Sequence, residues 1–140
     1  MATEHVSIGD NFAVTGYIGS TTSAASAAAG WVDMRDYASI LCLYTRIVGT
    51  GVLTSYRIDA STASNGANPV TVKTGTATTV DAVGDFVKIE VSQQEIAAAL
   101  AGARYVSLVI VHPTATEKAG VTYVRSGKIG YSGQTADTIA

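Results

Sequence analysis

Ser39-Ile40-Leu41-Cys42-Leu43-Tyr44-Thr45-Arg46-Ile47-Val48, then Gly49-Thr50-Gly51, then Val52-Leu53-Thr54-Ser55-Tyr56-Arg57-Ile58-Asp59-Ala60, is the stretch that decides the fold. The first run is apolar on both faces at most positions, which suits a central strand covered on each side. The second alternates, with Val52, Thr54, Tyr56 and Ile58 on one face and Leu53, Ser55, Arg57 and Asp59 on the other. A short glycine-bounded turn between two such runs predicts a β-hairpin.

Outward from this pair the two-residue period recurs. Residues 6–18 read as one or two short strands broken at Gly9-Asp10-Asn11, and residues 70–74 as another. In residues 86–91, Val87, Ile89 and Val91 face inward while Lys88 and Glu90 face out. Residues 104–112 form a buried strand ended by Pro113, and residues 121–126 a further one. Met34-Arg35-Asp36-Tyr37 reads as a turn, and residues 61–69 as a loop. Ser92-Gln93-Gln94-Glu95 is a capping box, in which Ser92 and Glu95 each satisfy an orphan backbone donor at a helix start. The helix runs on through Leu100 and stops at Gly102.

Many short strands with one brief helix and no βαβ rhythm predict an all-β antiparallel sandwich, jelly-roll or immunoglobulin-like. Residues 1–140 are expected to make a single domain, with Leu41, Leu43, Val87, Ile89, Leu108 and Ile110 buried between the sheets. Residues 19–30 are almost wholly Ser, Thr, Ala and Gly and are expected to form a mobile loop or arm. The polar tail, residues 132–140, is expected to be ordered only by a neighbour.

Charge is sparse. Asp, Glu, Lys and Arg make up 14% of the chain, against about 25% in an ordinary soluble domain. Mean hydropathy is +0.27. So little charge for a small surface points to a surface covered by other subunits, hence to a homo-oligomer. A net charge of −2 supplies no global field for nucleic acid or anionic lipid. The basic residues are dispersed rather than interleaved with aromatics. No run approaches the ~20 apolar residues of a membrane span. The first residues lack the basic start and apolar stretch of a signal peptide, so the chain is expected to fold and assemble in a cytoplasm.

Candidate chemistry is thin. His5 and His112 are far apart in sequence, and His112 is expected at a strand end, half in solvent. No Gly-x-Ser-x-Gly occurs. Asp33, Asp36, Asp59, Asp81 and Asp85 fall at turns and strand ends, where aspartates hydrogen-bond their own backbone. Asp33 and Asp36 with carbonyls could hold calcium, but no EF-hand spacing is present. Cys42, the single cysteine, sits in an apolar run and reads as a small buried hydrophobe. Tyr17, Tyr37 or Tyr131 could offer a face to a sugar, whereas Tyr44, Tyr56, Tyr105 and Tyr123 lie within strands and suit packing. No catalytic residue, cofactor or metal is expected, and the chain is not expected to be an enzyme.

The order of segments carries a resemblance. Asp36-Tyr37 before an apolar strand leads to a run ending in Asp59-Ala60-Ser61-Thr62-Ala63. Val87-Lys88-Ile89-Glu90-Val91 with a short helix follows, then Arg104-Tyr105-Val106-Ser107-Leu108-Val109-Ile110-Val111. In this order and style, residues 32–125 resemble small virion proteins of tailed bacteriophages, of the capsid decoration or minor head type. The resemblance implies a non-enzymatic protein that binds the assembled shell, with the major capsid protein or other virion subunits as partners and the virion as its place. A tail or head–tail connector subunit is the near alternative. A carbohydrate- or host-surface-binding module is the alternative from another class.

Overall fold

A computed structural model describes residues 12–20, 27–49, 51–75, 81–113 and 117–128. Within them the chain runs β1 (Phe12–Ser20), β2 (Ala27–Ala28), β3 (Val32–Asp33), β4 (Tyr37–Val48), β5 (Ser55–Ser61) and β6 (Val70–Gly75). There follow β7 (Phe86–Ser92), helix α1 (Gln93–Ala99), β8 (Tyr105–Val111) and β9 (Lys118–Lys128). The strands form two antiparallel sheets. One has the order β1-β9-β4-β7 and the other β8-β5-β6, with β2 and β3 lying end to end along the outer edge of β8. The architecture is an all-β sandwich with one short helix, as the alternation requires.

β4 is central, as its two apolar faces suggest, between β9 and β7. It does not form a hairpin with β5. β4 belongs to the four-stranded sheet and β5 to the other, so the chain crosses the sandwich between Val48 and Ser55. A short glycine-bounded turn can join strands within a sheet or between sheets, and side-chain burial decides which. Here Leu53 is 1% exposed, sunk between the sheets, and the Thr54 N–H donates to Val111 O at 3.0 Å to start the β5–β8 pairing.

The face of β4 that packs inward is also the opposite of the one expected. Ile40, Cys42 and Tyr44 are fully buried, while Leu41 and Leu43 are half-buried on the outer face. Where both faces are apolar, nothing local marks which is inside, and a slip of one residue exchanges them. Of the other expected core positions, Ile89, Leu108 and Ile110 are buried and Val87 is half-buried against the core. Ile40 stands beside Val91, Cys42 beside Tyr123 and Ile89, and Tyr44 beside Val121 and Val87, which completes the inner layer of the first sheet. Val32, Met34, Ile58, Ala60, Leu108 and Ile110 face it from the second sheet and its flanks. Each large buried aliphatic side chain contributes about 1.5–3 kcal/mol.

Tyr123 joins the layers by hydrogen bonds as well as by packing. Its hydroxyl accepts from the Leu108 N–H at 2.8 Å and donates to Gly30 O at 3.0 Å. This fills the interval between β2 and β3, where the outer edge of β8 has no strand beside it among the described residues. The expected loop over residues 19–30 is thus only partly a loop. Gly19 and Ser20 end β1, Ala27–Ala28 is β2, and the Ala29 N–H donates to Leu108 O; residues 21–26 lie outside the described residues. A ladder is made by the main chain, so the lack of large side chains does not prevent it. The tail, residues 132–140, also lies outside the described residues.

α1 begins as its sequence demands. Ser92 Oγ accepts from the Glu95 N–H and Glu95 Oε2 accepts from the Ser92 N–H, while Ile96 is buried beneath the helix. Gly66 packs against the Trp31 indole with φ 74°, and any Cβ there would collide with the ring. Ser61 ends β5, and residues 62–69 are a loop seated on a tryptophan.

Candidate functional site

Tunable chemistry among the described residues gathers at one end of the sandwich. Tyr44 and Arg46 lie on the inner face of β4, His112 follows β8, and Glu117 precedes β9. All four side chains are buried, Arg46 being 1% exposed and the others 0%. The Tyr44 hydroxyl and His112 Nε2 are 2.8 Å apart. Glu117 Oε2 lies 3.6 Å from Arg46 Nη2 and 3.9 Å from His112 Nε2. Arg46 Nη1 donates to Gly51 O in the crossover between the sheets. Gly49, at φ 127°, lies so close to Glu117 that a Cβ would strike its side chain. The β4–β9 register shifts between Arg46 and Val48 at this same place, in keeping with bulges that re-aim side chains.

The electrostatics follow from burial. His112 is held below its ordinary pKa, first by desolvation and then by the Arg46 charge, so its neutral form is favoured. Burial is also the main cause raising the Tyr44 pKa. Among the described residues, Arg46 Nε and Nη2 and both Glu117 oxygens find no hydrogen-bond partner, so the ion pair is loose and costly to desolvate. A general base needs contact with the proton that it removes, and here the imidazole is enclosed. The cluster can fasten β4 and its crossover to the β8–β9 connection and store charge in the interior.

His112 was expected half in solvent and is instead fully buried. Strand-end position alone says nothing of what folds over it, and Tyr44 and Glu117 both meet it. Arg46 and Glu117 carried no signal as site residues, although Arg46 shares the strand parity of Ile40, Cys42 and Tyr44. A charge at core parity in an apolar run is the clue that was available.

At the other end, Asp33 receives Arg104: Nε lies 3.0 Å from both carboxylate oxygens, and Nη2 also bonds Oδ2. That hydrogen bond is the main cause holding the Asp33 carboxyl below its usual range. The Arg35 N–H donates to Asp33 Oδ1 as well, a turn aspartate serving its own backbone. Asp33 is committed to these donors, and among the described residues no three His, Cys, Asp or Glu side chains gather as a metal site. Asp59 is bonded by Arg57 and Thr71, and Asp85 Oδ2 accepts from the Asp81 and Ala82 N–H groups.

The aromatic faces are likewise occupied. The Arg125 guanidinium lies 4.8 Å from the centre of the Tyr37 ring, and that of Arg104 5.2 Å from Tyr105. Tyr131 lies outside the described residues, and so does the side chain of Tyr17. Burial pushes the Cys42 thiol far up, as fits a core hydrophobe.

Val14 and Phe86 are each 68% exposed on the outer face of the four-stranded sheet. Across that face Val14 stands beside Val124, and Val124 beside Leu41; Leu43 stands beside Thr122 and Lys88. Ile47 and Val48 are exposed at the end of β4.

No protein-family model matches the chain, and no curated protein does. Among solved structures, a chain from Bacillus endospore appendages, described as a novel family of disulfide-linked pili, superposes with a TM-score of 0.47 at 15% identity. The match covers 93% of this chain and 100% of that one. Among the described residues no helix is long and apolar enough to cross a membrane.

Proposed function

We propose that this protein is a non-enzymatic structural subunit of a larger assembly. The observation that carries the reading is the outer face of the β1-β9-β4-β7 sheet, where Val14, Val124, Leu41 and Leu43 lie in adjoining rows and Phe86 stands clear of the surface. Val14 and Phe86 are exposed with Val124, Leu41 and Leu43 half-buried between them, and apolar side chains gathered on one open sheet face suit an interaction site; the charge-poor composition agrees with it. The polar groups that could be tuned for chemistry are drawn into internal pairs. In its finer form the reading is a capsid-associated decoration or minor head protein of a tailed bacteriophage. It would bind only the assembled shell and so stabilise that shell by mass action.

Sedimentation tests the reading. Particles carrying the chain are banded in a gradient and the chain is followed by immunoblot. Co-migration with heads that persists after tail removal is expected. A chain that stays at the top of the gradient, and is a monomer by light scattering, overturns it.

A further inference from the structure

The outer edge of β7 offers main-chain groups in one definite phase. In an antiparallel ladder, alternate residues turn both N–H and C=O toward the same neighbour. The Arg46 N–H donates to Asp85 O at 3.0 Å, so the odd-numbered residues of this strand address β4. Lys73 Nζ donates to Glu90 O at 2.9 Å and the Ser92 N–H donates to Glu95 Oε2 at 2.8 Å, so the even-numbered ones point away from β4. Phe86, Lys88 and Glu90 therefore present their peptide groups at a sheet edge with no strand beside it among the described residues. Their side chains are exposed on the outer face, while Ile89 and Val91 are buried on the inner one.

An unprotected edge is a template for another strand, and the charges on this one select which. We propose that β7 pairs antiparallel with the β7 of a second copy of this chain, about a two-fold axis at Ile89. In that register Lys88 lies opposite the partner's Glu90, and by symmetry Glu90 lies opposite the partner's Lys88. Each such pair exchanges both main-chain hydrogen bonds and sets opposite charges across the ladder, which is stabilising. Moving the axis one residue either way sets Lys88 against itself or Glu90 against itself, and like charges directly opposite are destabilising. The self-complementary sequence Lys88-Ile89-Glu90 is what an isologous interface requires. The Glu90 carbonyl now held by Lys73 has a second lone pair to offer. Beyond Glu90 the Ser92 N–H is engaged by Glu95, which limits the ladder to the middle of the strand.

The inference rests on the reading of the chain as an assembly subunit, and its test separates the two. Sedimentation equilibrium is run on the wild type, Lys88→Glu, Glu90→Lys and the chain carrying both changes. Each single change turns two attractive pairs into two repulsive ones and is expected to weaken the dimer by about tenfold or more. The double change restores opposite charges and is expected to recover wild-type association. Amide exchange read residue by residue supplies an independent measure. The Lys88 and Glu90 amides are expected to be protected at concentrations where the dimer forms and to exchange rapidly on dilution. A chain that assembles while these amides exchange freely, or whose association ignores charge reversal, overturns the pairing and leaves the assembly reading standing. A wild type that remains monomeric at every concentration overturns the pairing too.

Discussion

At the scale of single residues the interior charges make the sharpest demands. Arg46 and Glu117 are both buried, 3.6 Å apart, with polar atoms that find no hydrogen-bond partner among the described residues. Removing one member of such a pair strands the other, at about 3–5 kcal/mol, whereas replacing both by apolar groups is often neutral or stabilising. Arg46→Met is therefore expected to lower the unfolding free energy by about that amount. Arg46→Met with Glu117→Leu is expected to regain most of it, and urea titration of the three proteins decides. His112 adds a pH dependence. Its folded pKa lies below the unfolded value of about 6.5, so in the interval between the two the unfolded chain holds a proton that the native chain does not. The stabilising share is complete above about pH 6.5 and is lost as pH falls through the folded value. His112→Gln is expected to flatten the fall in urea midpoint between about pH 7.5 and 5.5. Parallel curves for variant and wild type would show that His112 is not the group responsible. Asp33, held low chiefly by Arg104, acts in a separate window, losing its share as pH falls below about 4.

At the scale of elements, the two faces of β4 make a direct comparison. Ile40 is fully buried and its neighbour Leu41 only half so. Ile40→Ala and Leu108→Ala are each expected to cost about 2–5 kcal/mol, and Leu41→Ala distinctly less. The reverse order in denaturant midpoints would return Leu41 to the core. This strand also shows where sequence reading stops. β7 and α1 were legible because Lys88 and Glu90 mark an outer face and Ser92 with Glu95 marks a helix start. β8 was legible as a buried strand from an apolar run that Ser107 alone interrupts. The inner face of β4 was not legible, because Ile40-Leu41-Cys42-Leu43 has no polar residue to mark a side. Gly49-Thr50-Gly51 reads as a hairpin turn because local turn chemistry does not record which sheet receives the next strand. β2 was invisible for a different reason: Ala27–Ala28 joins β8 by a backbone ladder, which no side-chain pattern announces. The cluster of Tyr44, Arg46, His112 and Glu117 was hidden because its members come together only once β4, β8 and β9 are stacked.

At the scale of the whole molecule, the distribution of polarity runs against the habit of a free domain. Charged side chains that could face water are spent inside, Arg46 and Glu117 at one end, while Val14 and Phe86 stand in the open. A monomer gains little from a side chain that it leaves 68% exposed, so Phe86 gives a clean separation between folding and association. Phe86→Ser is expected to change the unfolding free energy by no more than about 0.5 kcal/mol, as for ordinary surface substitutions. An aromatic anchor at the heart of an interface is commonly worth about 2 kcal/mol or more, which is more than tenfold in affinity. The same variant is therefore expected to weaken self-association or particle attachment at least about tenfold. Light scattering and gradient sedimentation read the association, and urea unfolding of the same preparation reads the stability. Unchanged association with intact folding would mean that the outer face of the β1-β9-β4-β7 sheet is not where the chain meets its neighbours. Loss of both together would instead make Phe86 part of the fold, which its exposure opposes.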